Sequence, residues 1–242
     1  MWKWGLRAIS VGLVIMIWEV FGHARNSLLL PTFSETLAAF GDLIRDPAFW
    51  RALGVSNAAL VIGFSGAVVV GVPLGLWVGY KEWAHQLVSI YLSILLVTPM
   101  AAVIPLLIMT LGFTLAARAV VVFVFAVPFL VINTRTGLRH LPPNLLEMAR
   151  SFGATEVSIW LKVLLPGALP GVFSGLRIGL GRAFTGMLLA ELLLSADGVG
   201  HLLLIYQGNF EAGLIIVVVL ESLALMRLLK LLDRRWTGWV GS

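Results

Sequence analysis

Arg177, Arg182 and Glu191 interrupt an otherwise oily stretch, residues 168–194. Ionisable groups at membrane depth are costly and mark function by default. Residues 177, 181, 184, 188 and 191 approximate one helix face, so Arg177 and Glu191 share it, while Arg182 lies about 140° round from Arg177. An arginine in a wet cavity suits a pathway for anionic solutes. Arg177, about two turns beyond Pro170, equally suits snorkelling or holding the preceding loop. Thr98, Ser174 and Thr185 complete the candidate pathway with neutral hydroxyls, although isolated hydroxyls in such helices tend to bond their own backbone.

Enzymatic chemistry finds little to build on. Gly63-Phe64-Ser65-Gly66 matches the GxSG nucleophile pattern of rhomboid intramembrane proteases. That chemistry needs a histidine on another span to take the hydroxyl proton, and His23, His85, His140 and His201 all fall on expected connections. Their scatter gives no metal-ligand spacing. No Gly-Lys-Ser/Thr follows a glycine run, so the chain lacks a nucleotide-binding loop and is expected to be no enzyme and to bind no cofactor itself. With no cysteine there are no disulfides, no thiolate-held zinc and no thiol catalysis.

The elements that must position these residues follow from composition. Of 242 residues, 60% are hydrophobic and 12% charged, and mean hydropathy is +0.99. A soluble domain needs more polar surface than this. Lipid satisfies no backbone groups, so spans are helices or closed barrels, and the long apolar runs do not alternate as barrel strands would. The expected fold is an all-α membrane protein with six transmembrane helices in a single transmembrane domain, at about 5–22, 56–79, 87–111, 117–135, 168–194 and 212–232. Gly22-His23-Ala24 is a poor cleavage site, so the first run is expected to be a retained span. Six spans put both termini on one side with Lys3, Arg7, Lys81, Arg135, Arg139, Arg150, Lys162, Arg227, Lys230, Arg234 and Arg235, against Arg25, Arg45, Arg51 and Arg118 opposite. That bias marks the first side as cytoplasmic, with Trp77, Tyr80 and Trp83 among the aromatic residues at its helix ends. The net charge of +5 is thus read as membrane topology, with no nucleic-acid partner. Glu221 falls within the sixth span.

Two small-residue ladders repeat every fourth residue: Gly63, Ala67, Gly71, Gly75 and Gly79, then Gly167, Gly171, Gly175 and Gly179. Each lies on one helix face and invites close helix packing. Between the first two spans, Thr32 and Glu35 have capping-box spacing. The segment they start reads either as an amphipathic helix on the outer membrane surface or as a solvated loop with a turn of helix.

Residues 144–165 are the polar exception. Leu145, Leu146, Met148, Ala149 and Phe152 form an apolar stripe, with Glu147 and Arg150 facing elsewhere. Gly153 ends that helix, and residues 155–165 form a second one stopped by Pro166. This cytoplasmic helix-turn-helix is too short to enter lipid and must bury its apolar face against protein, as in a helix-in-groove contact.

Glu147-Met148-Ala149, then Gly153 and Ala154, then Val163-Leu164-Leu165-Pro166 resembles the EAA loop of ABC-importer permeases, with Met148 in place of the first Ala and Val163 in place of Ile. The stretches "LLLPTFSETLAAF", "GVPLGLWVGY", "TPMAAVIPLLIMTLG" and "GLRIGLGRAFTGMLLAELL" and the C-terminal "RLLKLLDRR" extend the resemblance to the nitrate, sulfonate and taurine importer group, over nearly the whole chain. The third-span stretch lacks a Trp often found before its Ile-Pro in that group, and Met226 stands where an acid is frequent. The resemblance implies a type I importer bundle in the bacterial inner membrane. It also implies a permease homodimer, two ATPase subunits gripping residues 144–165 and carrying ATP and Mg, and a solute-binding protein. An ion-coupled secondary transporter, an intramembrane serine protease and a scaffold without transport are the competing readings.

Overall fold

The computed structural model describes residues 2–25, 32–194 and 197–208. The expected sixth span and Glu221 lie outside the described residues. Every regular element among those residues is helical: α1 (Trp2–Arg25), α2 (Phe33–Arg45), α3 (Pro47–Tyr80), α4 (Glu82–Val97), α5 (Met100–Leu111), α6 (Leu115–Arg139), α7 (Pro143–Ser151), α8 (Glu156–Ile159), a π turn (Trp160–Leu164), α9 (Leu165–Leu194) and α10 (Val199–Gly208).

Local chemistry starts several of these helices. Thr32 and Glu35 form the full capping box of α2: the Glu35 N–H donates to the Thr32 hydroxyl and the Thr32 N–H to the Glu35 carboxylate. The Thr32 N–H and hydroxyl hold the Glu35 carboxyl below its usual range. Asp46 caps α3 through the Ala48 N–H, with Pro47 in the first turn. Thr114 caps α6 through the Ala117 N–H.

Helix α6 is the centre of the bundle, and both glycine ladders dock on it. On α3, a Cβ at Gly71 would lie 2.9 Å from Leu130 Cβ, and one at Gly75 would lie 2.7 Å from Thr134 Cβ. One at Gly79 would lie 3.0 Å from Leu138 Cδ2, and Gly63 faces the Ala119 carbonyl and Val122. On α9, a Cβ at Gly171 would come within 2.5 Å of Gly137 Cα, and those at Gly175 and Gly179 within 3.2 Å of Asn133 Cβ and Leu130 Cγ. Leu130 thus meets both ladders, inside a core that includes Ala67, Val122, Ala126, Ala183 and Met187.

Helices α3, α6 and Glu156–Leu193 are long and apolar enough to cross a membrane. Residues 87–111, expected as one span, are broken instead. Helices α4 and α5 meet at 99° and make a fourth span when counted together. The break sits at Thr98, held extended at φ −63°, ψ 126° before Pro99, because proline disfavours helical geometry in its predecessor and lacks an N–H. Helix α1 carries a shorter apolar stretch, Ile9–Ala24. It meets α2 through Ser34, which donates from N–H and hydroxyl to Glu19. Large apolar side chains such as Leu13, Val69, Ile94 and Met109 stand exposed, as a lipid-facing surface requires.

Pro166 does not stop the helix that precedes it. α8, the π turn and α9 run on as one helix. In the π turn the Leu165 N–H reaches five residues back to the Trp160 carbonyl. This widening comes just before Pro166, where a regular turn would set the ring against the carbonyl four residues earlier.

Gly171→Leu is therefore expected to cost at least about 1–3 kcal/mol by overpacking. Gly181→Leu, with nothing within 4 Å of a Cβ, should be near neutral. Thermal unfolding midpoints of the two variants in detergent compare them directly.

Candidate functional site

Helix α7 and the start of α8 form a hairpin at one end of the bundle. The turn between them is a Schellman motif. Gly153 sits at φ +71°, its N–H donates to the Arg150 carbonyl at 2.9 Å, and the Ala154 N–H donates to the Ala149 carbonyl at 3.0 Å. Nothing surrounds a Cβ at Gly153, so glycine is required there by backbone conformation alone. Thr155 restarts the chain by capping α8 through the Ser158 N–H.

The apolar residues of the hairpin divide into two faces. Leu146, Ala149, Ala154, Ile159 and Leu164 pack with Leu138 and Ala168, fixing the hairpin to α6 and α9. Met148 (53%), Phe152 (83%), Val157 (67%) and Leu161 (60%) remain exposed. The single stripe expected over 145–152 is thus split. Leu145, Leu146 and Ala149 turn toward the bundle, while Met148 and Phe152, one turn apart, turn away. Glu147 is exposed, and Leu165 and Pro166 are half-buried at the join with α9. Glu156 accepts from the Tyr80 hydroxyl at 3.0 Å and pairs with Arg150 at 3.6 Å. The Tyr80 ring packs against Trp160 with 4.9 Å between centroids, and Trp77 meets Trp83 edge-on at 5.0 Å.

The pathway candidates scatter. Arg177, Arg182 and Thr185 are exposed on α9 and Ser174 is half-buried; Arg182 lies over the Phe129 ring at 4.8 Å. The hydroxyls of Thr98 and Thr185 donate to the carbonyls of Ile94 and Gly181 one turn earlier. Gly63-Phe64-Ser65-Gly66 is a packing segment of α3, and among the described residues Ser65 makes no hydrogen bond to a histidine.

Glu191 does not share the surroundings of Arg177. It is fully buried at the end of the bundle opposite the hairpin. Its Oε1 accepts from the Ser56 hydroxyl at 2.6 Å and its Oε2 from the Gly200 N–H at 2.9 Å. Ser56 Oγ in turn accepts from the Val199 N–H at 2.9 Å. Arg118 Nη1 lies 3.9 Å from Glu191 Oε1 and donates to the Asp197 carbonyl at 3.2 Å. A buried carboxylate needs this full set of partners. Helical periodicity could not find Ser56, Arg118, Gly198 or Gly200, because they come from three other segments. The one signal was the Gly198-Val199-Gly200 triplet shortly after an acid that interrupts the end of an apolar run.

Residues 71–238 match the model of the binding-protein-dependent transport system inner membrane component family. The chain belongs to this family. The match spans the hairpin and, of the Glu191 junction, Arg118, Glu191 and Gly200 but not Ser56. The chain is similar to the "Putative aliphatic sulfonates transport permease protein SsuC" of Escherichia coli (strain K12), 30% identical over 98% of this chain and 94% of that protein. It also resembles the nitrate import permease protein NrtB of Synechocystis sp., 26% identical over 88% and 80%. Its fold is like that of a chain of the MetNI methionine ABC transporter solved in inward-facing conformations, with a TM-score of 0.65, 23% identity and coverage of 81% of this chain and 97% of that one. The protein is a multi-pass membrane permease of the ABC-importer class, a transport subunit of the kind that works with ATPase and solute-binding partners.

In this inner membrane component the Gly153 turn is testable by itself. Gly153→Val places a β-branched residue in the left-handed region at a cost of about 1–2 kcal/mol, whereas Gly153→Asn should cost less. Hydrogen exchange at the Ala154 amide, which the turn protects, is expected to accelerate about tenfold per 1.4 kcal/mol in the Val variant and little in the Asn variant.

Proposed function

We propose that the chain forms the translocation pathway of an ATP-driven importer for a small anionic or zwitterionic solute of the sulfonate, nitrate or taurine type. A separate ATPase grips residues 144–165. The observation that carries this reading is the exposed quartet Met148, Phe152, Val157 and Leu161, on a hairpin anchored from behind by Leu146, Ile159 and Leu164. Four large apolar side chains on one short polar projection need a protein groove to cover them. The sulfonate and nitrate relatives support the solute class. Arg177 and Arg182, exposed on α9, supply the charge such a solute would meet.

Two copies of the permease pair around the pathway and two ATPases bind beneath, holding the ATP and Mg on which the cycle runs. A solute-binding protein delivers cargo from the other face. The hairpin end is cytoplasmic, as are both termini, in the bacterial inner membrane. The excess of arginine and lysine on that side supports this orientation.

Phe152 is the expected anchor. Phe152→Asp should cost about 2 kcal/mol or more of binding, roughly 30-fold, as central aromatic contacts do. Co-purification of the ATPase and ATP-dependent uptake of a labelled aliphatic sulfonate into vesicles are the measurements. Retention of both by Phe152→Asp combined with Leu161→Asp would rule out the hairpin as docking site. Uptake by the chain alone, driven by an ion gradient, would show a secondary transporter.

A further inference from the structure

The hairpin and the Glu191 junction occupy opposite ends of one rod. From Glu156 to Leu193 the helix is continuous, so displacement of the hairpin acts directly on the helix that carries Glu191. At that far end the buried carboxylate touches three other elements: Ser56 on α3, Arg118 on α6 and the Gly200 N–H in the first turn of α10. Helix α10 is itself seated by Val199, Leu202 and Leu203 against Leu43, Phe49 and Leu53.

The junction permits little slack. Gly198 stands at φ +103°, and a Cβ there would run into the Glu191 carboxylate. A Cβ on Gly200 would lie 2.5 Å from Glu191 Cβ. The turn can sit on α9 only where side chains are missing and only with the carboxylate beneath it. Shifting α9 against α3 must either carry α10 along or break the contacts to Ser56, Gly200 and Arg118 together. Packed elements of this kind switch between discrete arrangements rather than stretching.

We infer that Glu191 is the positioning residue through which movement of α9 is delivered to α10, so the junction is the far terminus of the coupling path that starts at the hairpin. This rests on residues 144–165 being the ATPase docking site. The junction itself is not part of the solute path, since Glu191 and Ser56 are fully buried within the chain.

The test uses the permease assembled with its ATPase and solute-binding protein in lipid vesicles. In Glu191→Gln and Gly200→Ala the ATPase is expected to stay bound while ATP-dependent uptake falls about 5- to 150-fold, the usual range of a lost coupling. The chain has no native cysteine, so spin labels at Ile62→Cys on α3 and Ile205→Cys on α10, both exposed, attach only there on the permease, and dilution with unlabelled permease leaves the separation within one copy. Their separation should change on adding ATP in the parent protein, and the change should vanish in Glu191→Gln. The distance is compared only in assemblies that retain the ATPase, so a lost change reports the junction and not poor assembly, and loss of the ATPase from Glu191→Gln overturns the inference. An unaltered nucleotide-dependent change in Glu191→Gln, or uptake equal to the parent, overturns the inference and leaves the docking reading intact. Failure of the ATPase to bind the unsubstituted chain overturns the docking reading and this inference with it.

Discussion

Close approach of three helices is the constraint on which everything else depends. In lipid, burying an apolar side chain against another helix gains little over leaving it in acyl chains, so association relies on contact at short range. α6 obtains that contact on two sides. The glycines of α3 let Leu130, Thr134 and Leu138 lie nearly against its backbone, and Gly171 lets α9 meet α6 at Gly137.

A tightly packed trio gives the rest of the molecule something to be fixed to. At one end, Leu138 and Ala168 form the floor on which the 143–164 hairpin rests. At the other, Arg118 from α6 and Ser56 from α3 converge on Glu191 from α9. Arg118 and Glu191 lie near the ends of the long helices, where the partners they need can reach them, and the packed core between the helices is left to apolar side chains. Helices α1, α4 and α5 carry much of the exposed apolar surface; α4 and α5 flank the trio, and α1 packs on α2.

The hairpin shows how one short segment serves two purposes. Its Schellman turn is closed by Gly153 and two backbone bonds, so its geometry does not depend on any partner. The residues on its inner face are held by the bundle, and the four on its outer face are free to be covered. Because the inner face continues through the π turn into α9, whatever holds the outer face also holds a transmembrane helix. Continuity of that helix through Pro166 joins the hairpin directly to α9.

By itself, the sequence determined what short-range chemistry determines. Hydropathy made the chain an all-helical membrane protein, Thr32 and Glu35 announced the cap of α2, the four-residue glycine spacing announced packing faces, and the 147–166 pattern announced the family. Each of these depends on neighbours within a turn or two, or on the solvent that a run of residues requires. Only the tertiary structure decided that both ladders share α6 and that Pro99 breaks a span while Pro166 does not. It also decided that Met148 and Phe152 part company with Leu146, and that Glu191 belongs with Ser56, Arg118 and Gly200. These outcomes turn on contacts between residues as many as 143 positions apart. Periodicity says which side of a helix a residue occupies, but not which helix will lie against it.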